Sequence, residues 1–349
     1  MSLKAYLLPL YKKYQYVKYF LKYRRPVGLS KTIWCFTHGF FTKNYILYDL
    51  DKNDPKLYVS DFRENMKIGL INKYTEPINN KLIFTELLSS VVSMPDVKGM
   101  IEAGSFVKYG KNSCGSFLEL IDYMKAGKGM ILKPIDGDGG EGIFLCRYEN
   151  GSIVWNQQAI TGDEFLNRLG KLNYYFISDL VEQHAYSQAI YSKSVNTIRI
   201  ITMKDPSTGQ PFIAVAAHRI GNDHSSPVDN CAKGGFTAAI NLETGTLGKA
   251  VKTYFEGATP QWYTHHPDSG AAIEGVQVPH WDLVKSNILE LARNFSFLEY
   301  TGWDTVLLPN GNITVLEAND GADLKLHQVH EPLLKDQRIK NFYSFHKAI

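Results

Sequence analysis

Two arms of a hairpin pattern near the end of the chain, GWDTVLLP and NITVLEAN, carry Asp304, Glu317 and Asn319 around the turn-forming pair Asn310-Gly311. With those two residues as the turn, Asp304 faces Glu317 across the strands, and Asn319 lies on the same face two residues on. Carboxylates set opposite one another repel, and the apolar flanks VLL and VLEA argue against exposure of this strand end. The arrangement calls for a cation, and an all-oxygen set suits Mg2+ shared with a phosphate. Arg199 in NTIRIIT and Arg219 in AAHRIG stand inside apolar strands, where a guanidinium needs an anionic partner. A structural salt bridge and a bound phosphate both answer that need.

From Lys133 to Ile143 the chain reads KPIDGDGGEGI. Gly137, Gly139 and Gly142 satisfy G-x-G-x-x-G, with Gly140 between them. In a dinucleotide site those glycines open a helix, but here they run into IFLCRY, whose alternation is that of a strand. No G-K-[ST] follows either, which excludes a P-loop. A strand–glycine loop–strand still binds phosphate, because successive N–H groups face a ligand without side chains in the way. Lys133 would add an ammonium beside it; a tight hairpin with a surface lysine is the plainer alternative. Glu182 ends an apolar strand just before a polar loop. His265-His266-Pro267-Asp268 has no E-x-x-H or nucleophile motif nearby, so ligand contact suits it as well as catalysis.

Strands and helices must hold these groups. GMILKP and GIFLCRY flank the glycine loop, and SIVWNQ and YYFISDLVEQ follow as further strands. VNTIRIITM pairs with PFIAVAAHRIG, and GGFTAAINL with TLGKAVKTY, through turn-rich connections. Helices are expected from Asn79-Asn80 into KLIFTELLSSV, over SFLELIDYMKAG, over GDEFLNRLGKL, and over PHWDLVKSNILELARNF. Residues 29–80 mix short apolar runs (TIWCF, YILYDL, KLYVSDF) with polar breaks and read as a small α/β piece.

The composition, 44% apolar and 21% charged, is that of a globular protein. No run approaches the roughly 18–20 apolar residues of a membrane span, and the start lacks a secretory cleavage pattern. Four cysteines without C-x-x-C disfavour zinc and fit a reducing cytoplasm. Nine of the 38 basic residues precede the first acid, Asp49, so the rest of the chain is net acidic and unsuited to nucleic acid. In the basic front end Leu3, Leu7, Leu10, Tyr14, Val17 and Leu21 form one helical stripe, ended by Pro26-Val27-Gly28. Pro9 is tolerated if the helix starts there. The stripe packs on the protein's own core or lies on an anionic membrane surface.

The ordered set Lys81, ILKP with its glycine hairpin, LVEQ, the Asp strand and LEAN resembles the ATP-grasp superfamily, as in D-alanine–D-alanine ligase and glutathione synthetase. More narrowly, SVNTIRI, HRIGNDHSSPVDNCAKGGF, HPDSG, VPHWD and GWDTVLLPNGNITVLEAND resemble the sugar-transfer-associated ATP-grasp family of polysaccharide assembly. The resemblance covers roughly residues 80–328. It implies an α+β ATP-grasp fold in which two α+β lobes clamp ATP. The implied division is a basic helix (1–28), an N-terminal α/β region (29–80), a lid subdomain (81–184) and a catalytic subdomain (185–349). Lys81 and Lys133 would contact phosphates, the glycine loop would cover them, and Glu182 with Gln183 would meet adenine and ribose. Asp304, Glu317 and Asn319 would hold Mg2+, and Arg199 would face the transferring phosphate. The named ligases carry Arg just before the metal Asp; here Trp303 stands there, so that task falls to Arg199 or Arg219. Within the family-like segments, Asn196, Asp229, Asn230, Gly234, Gly235, His266 and Asp268 are the implied substrate contacts.

The implied activity is an ATP- and Mg2+-dependent carboxylate–amine ligase working through an acyl phosphate. It would join an amino acid to a sugar or sugar-linked carrier in the cytoplasm, with peripheral membrane contact through residues 1–25. A kinase acting on a hydroxyl, or a non-catalytic nucleotide-binding scaffold, are the alternatives.

Overall fold

The computed structural model describes residues 3–136 and 141–349. The chain opens with α1 (Leu3–Lys22), α2 (Leu29–His38), α3 (Thr42–Leu47), α4 (Asp61–Met66), α5 (Glu76–Asn79) and α6 (Lys81–Leu88). A first sheet follows, from β1 (Val97–Glu102), β2 (Ser105–Val107), β3 (Met130–Pro134), β4 (Phe144–Glu149), β5 (Ser152–Trp155), β6 (Gln158–Ile160) and β7 (Tyr175–Asp179), with α7 (Phe117–Lys125) and α8 (Gly162–Leu169) between its strands. After α9 (Ala185–Ile190) comes the second, from β8 (Ile198–Lys204), β9 (Pro211–Ile220), β10 (Phe236–Ile240), β11 (Leu247–Val251), β12 (Trp262–Tyr263), β13 (Tyr300–Leu307) and β14 (Ile313–Asn319). Helix α10 (Trp281–Asn294) precedes β13, and α11 (Lys325–Gln328) and α12 (Gln337–Phe345) close the chain. The strand orders are β2-β1-β7-β3-β4-β5-β6 and β12-β11-β10-β9-β8-β13-β14. This is the α+β, two-sheet architecture that the sequence implies.

Caps and periodicity account for the helices. Ser116 and Thr161 accept hydrogen bonds from Glu119 N and Glu164 N at the starts of α7 and α8. Leu120, Met124, Phe165 and Leu169 then bury against Met130, Leu132 and Ile177 of the first sheet. Val284, Ile288 and Leu291 of α10 cover one face of the second sheet, and Ile339, Phe342 and Tyr343 of α12 cover the other. Asn80 caps α6 by accepting from Leu82 N and Ile83 N, both at 3.1 Å. That helix bridges the lobes: Leu82 packs with Val97 and Phe176 of the first sheet, Phe84 and Leu88 with the second.

Three expectations change. Residues 29–80 are not α/β: among them the structure shows only short helices and turns, with TIWCF inside α2 and YILYDL running from α3 into a turn. Their aromatic clusters pack in a helical subcore of Tyr16, Phe20, Phe40, Tyr45 and Tyr58 against Val251 and Phe255 of the second lobe. Secondly, α1 begins at Leu3, so Pro9 lies within it. It docks through Tyr16 and Phe20, while Leu10, Tyr14, Val17 and Leu21 of the predicted stripe are exposed.

Thirdly, the last hairpin turns through three residues, Pro309-Asn310-Gly311, with Leu308 N bonded to Asn312 O at 2.8 Å and Gly311 at φ 83°. Three-residue hairpins place Gly in this left-handed position. A bulge then restores the register: Thr305 pairs with Val315, but Asp304 pairs with Glu317. Asp304 faces Glu317 as expected, by a different route. The bulge also lets Leu316 and Glu317 both line the cleft described next, a re-aiming typical of bulges near sites.

Candidate active site

A cleft lies between the two sheets. One part of its wall is apolar, from Ile131, Ile143, Leu145, Leu180, Val181 and Leu316; the rest is charged, with Lys81, Lys133, Arg199, Arg219, Asp304 and Glu317. An apolar slot joined to a cluster of cations matches a ligand with a flat ring at one end and phosphates at the other.

Sheet register builds the charged end. Arg199 of β8, Asp304 of β13 and Glu317 of β14 lie abreast on neighbouring strands. Arg199 forks onto both Asp304 oxygens, through Nε to one and at 2.9 Å to the other. Arg219 of β9 reaches the same carboxylate at 2.8 Å and Asp229 at 3.0 Å. Asp229 is anchored in turn by Thr197, whose N–H and hydroxyl donate at 2.8 and 2.6 Å. Burial penalises the Asp304 carboxylate, but the two guanidinium groups outweigh it and hold it below the usual carboxylate range. Among the described residues Lys81 is the one ion-pair partner of Glu317, at 3.6 Å; burial, and then Asp304 opposite, push its carboxyl up. Lys133 is pushed down to about 8, by burial and secondarily by Lys81, against the pull of Glu317.

The opposed acids thus receive much of their countercharge from the protein, and the inference from repulsion to a metal does not stand alone. A second observation bears on Mg2+. The buried side-chain amide nitrogen of Asn319 has no hydrogen-bond partner among the described residues. Amide N and O exchange by a half-turn, which would present an oxygen beside Glu317. Glu317 and Asn319 therefore fit a hard cation shared with phosphate, whereas both Asp304 oxygens are engaged by arginine. Among the described residues no group of three or more His, Cys, Asp or Glu side chains could hold a metal unaided.

Trp303 is fully buried in the core beneath the second sheet and donates to Thr202 Oγ1 at 2.9 Å. Alternation along β13 turns residue 303 away from Asp304, and the cations there come from β8 and β9.

Gly137, Gly139 and Gly140 lie outside the described residues. Gly142 does not: at φ 68°, a Cβ on it would come 2.5 Å from the Tyr175 hydroxyl, so glycine is required there. The strands flanking the loop pair antiparallel, Leu132 with Phe144, as a hairpin demands.

Other expected contacts fall elsewhere. Glu182 is exposed on a neighbouring groove. Gln183 is buried and spent, donating to Tyr191 O and Ser194 O and accepting from Ser187 Oγ and Asn196 N. Leu180 and Val181, just before this pair, line the cleft. Of the seven implied substrate contacts, Asp229 and Asn230 line the cleft. The other five form the frame behind it. Asn196 accepts from Gly221 N and donates to Tyr191 O. His266 bonds Gly221 O and accepts from Asp268 N, and Asp268 accepts from Asp223 N. Gly234 O accepts from Asn222, and Gly235 has no room for a Cβ beside Asp229 O. Sequence reasoning missed Thr197, although it sits inside the NTIRI segment.

Two antiparallel sheets in α+β lobes closing on such a cleft are the ATP-grasp architecture. More narrowly, the chain belongs to the sugar-transfer associated ATP-grasp family, whose model matches residues 68–342. No curated protein sequence matches it. Similar solved structures include an ADP complex of N5-carboxyaminoimidazole ribonucleotide synthetase, at 10% identity over 73% of this chain and 48% of that one, with TM-score 0.41. The D-alanine–D-alanine ligase of Coxiella burnetii is 9% identical over 78% and 59%, TM-score 0.39. VanG D-Ala:D-Ser ligase of Enterococcus faecalis is 10% identical over 77% and 62%, TM-score 0.40. The chain thus covers less than two thirds of each of these proteins, and the likeness is one of fold.

Proposed function

We propose that the chain is an ATP-dependent carboxylate–amine ligase. The observation that carries the reading is the cleft itself, an apolar slot ending in four cations around Asp304 and Glu317. Adenine occupies the slot beside Leu180 and Val181. The phosphates lie toward Lys81, Lys133 and the arginines, where Glu317 and Asn319 are suited to hold Mg2+. The metal would supply charge neutralisation on the transferring phosphoryl group. A substrate carboxylate attacks the γ-phosphorus, the bond to ADP breaks, and an acyl phosphate forms. An amine then attacks the acyl carbon, phosphate leaves, and the amine's proton passes to solvent, giving an amide. Arg199 and Arg219 are placed to neutralise charge developing at this centre. The family's name supports a sugar or sugar-linked carrier as one substrate, in polysaccharide assembly.

The test is product analysis with ATP, Mg2+ and a matrix of amino acids and nucleotide sugars. A ligase releases ADP and free phosphate in equal amounts, dependent on both substrates. ADP with a phosphorylated product and no free phosphate is the result of a kinase and would overturn the ligase reading. ATP binding with no turnover over the whole matrix points to a scaffold instead.

The exposed stripe on α1 supports contact with an anionic membrane. Leu10, Tyr14, Val17 and Leu21 face solvent beside Lys13, Lys18 and Lys22, and α2 adds exposed Leu29, Ile33 and Phe36. Phe36 touches Phe20, so the two faces adjoin. No helix among the described residues is long and apolar enough to cross a membrane, which leaves interfacial binding. Removing residues 1–25 would strip Tyr16 and Phe20 from the core, so substitution is the cleaner probe. Val17→Glu with Leu21→Glu is expected to abolish co-sedimentation with phosphatidylserine vesicles at unchanged melting temperature. Undiminished sedimentation would remove the membrane reading.

A further inference from the structure

A cavity continues from the phosphate end of the cleft, sharing Lys81, Arg199, Arg219, Glu317 and Asn319 with it. Beyond it is another, between the N-terminal helices and the segment after β14. Tyr254, Gly321 and Asp323 line both of these, so they share a wall. The ATP reading uses nothing in the outer one.

That cavity holds an unusual set of charges. Lys43 of α3 is only 6% exposed, yet lines it. Its ammonium lies 3.4 Å from the centroid of the Tyr254 ring and, among the described residues, makes no ion pair or hydrogen bond. The nearby charges are committed elsewhere. Lys325 pairs with Asp323 at 2.5 Å. Asp61 accepts from Phe41 N at 2.7 Å and Asn44 Nδ2 at 2.5 Å. A buried ammonium with no hydrogen-bonded anion is costly to keep; burial, and then Lys325, lower it to about 7. Opposite in sign, Glu64 accepts from Leu324 N at 2.9 Å, and burial and Asp323 push it up to about 8. One cavity therefore contains an ammonium without an ion-paired anion and, in Glu64, a carboxyl without an ion-paired cation among the described residues. Glu64 is bonded to Leu324 N, next to Asp323 on the wall shared with the inner cavity, whereas Lys43 does not line that cavity.

We propose that this outer cavity is the acceptor site, and that the acceptor is a free amino acid whose carboxylate pairs with Lys43 and whose ammonium sits at Glu64. This rests on the ligase reading for the use made of the amine, not for the binding itself. A zwitterion satisfies both mismatches at once, where a simple amine or a simple carboxylate satisfies one. The polarity also fits the chemistry, because it turns the nitrogen toward the wall shared with the phosphate end. It assigns a task to the N-terminal helices, which carry Lys43, Asp61 and Glu64 to the edge of the catalytic lobe.

The experiment is calorimetric titration of the full chain, with a non-hydrolysable ATP analogue and Mg2+, against the twenty free amino acids. For each binder, its N-acetyl and carboxamide derivatives are titrated as well. At least one amino acid is expected to bind, with both derivatives at least tenfold weaker. Lys43→Met should weaken the amino acid at least tenfold and leave the ATP analogue unaffected, with Lys43→Arg recovering part of the loss. No binder in the panel, derivatives that bind as well as the parent, or a folded Lys43→Met protein of unchanged affinity would each overturn the site. The derivative comparison needs no variant, so it stands even if Lys43→Met fails to fold. Phosphate release separates the two claims. Binding through Lys43 without turnover sinks the ligase reading alone; turnover with a KM untouched by Lys43→Met sinks the acceptor site alone.

Discussion

Asp304→Asn is expected to lower the unfolding free energy by about 3–5 kcal/mol, measured by denaturant melts in EDTA without nucleotide, and to abolish turnover. Asp304 and Arg199 are 4% and 7% exposed and joined through both carboxylate oxygens. Asparagine keeps the shape but removes the charge, which leaves the Arg199 guanidinium buried without its counter-ion. Arg219 retains Asp229. The sign of the effect is diagnostic. If Asp304 served only as a metal ligand, neutralising it in EDTA would relieve its repulsion from Glu317 and leave stability unchanged or raised. Arg199→Met added to Asp304→Asn should recover part of the loss, because it removes the orphaned charge; additive losses would argue that the two residues act independently. Glu317→Gln should behave differently. Its partner Lys81 is 3.6 Å away and its side chain is a third exposed, so stability should move by less than about 1 kcal/mol while turnover is lost.

The contrast between these two acids shows where sequence reading stops. Strand alternation and turn residues were enough to put Asp304 opposite Glu317, because register is a local property of a hairpin. That a three-residue turn and a bulge at Leu316 compensate each other could not be read, since either alone would have moved Glu317 off the face. What occupies Asp304 was less accessible still. Its partners come from β8 and β9, 105 and 85 residues away in sequence, and an arginine among apolar residues looks the same whether it awaits a phosphate or already holds an aspartate. Gln183 was misleading for a related reason. An amide after an apolar strand resembles a ligand contact, but this one bonds four neighbours to fix the segment from Ser187 to Asn196. Residues 29–80 were hardest. Helices of four to ten residues offer too few turns for a 3.6-residue period, and runs rich in aromatics resemble strands. Lys43, one basic residue among nine at the front end, had no signal to distinguish it.

The affinity for ATP is expected to fall as pH rises through about 8, because Lys133 must be protonated to meet a phosphate. Its ammonium is penalised by burial, and Lys81 adds to the penalty, bringing it to about 8 from an ordinary 10.5. The phosphates themselves are fully ionised over this range, their last proton leaving near pH 6, so a slope above pH 8 belongs to the protein. Stability of the nucleotide-free protein should move the opposite way. The unfolded chain holds this proton to about 10.5 and the folded one releases it near 8. Between those values the unfolded state binds more protons, and stability rises with pH. One group thus predicts two opposed slopes, read by nucleotide titration and by denaturant melts over pH 7–10. Lys133→Arg is the control, since a guanidinium stays charged throughout. It should flatten the binding slope even if geometry costs some affinity at neutral pH. The same slope in Lys133→Arg as in the parent would assign the titration to another residue and detach Lys133 from the phosphates. Lys133→Met should lose nucleotide affinity by at least a hundredfold at pH 7, where the parent carries the charge, and by progressively less as pH climbs past 8. Convergence of the two curves at high pH separates a lost charge from a damaged fold, which would depress binding at every pH alike.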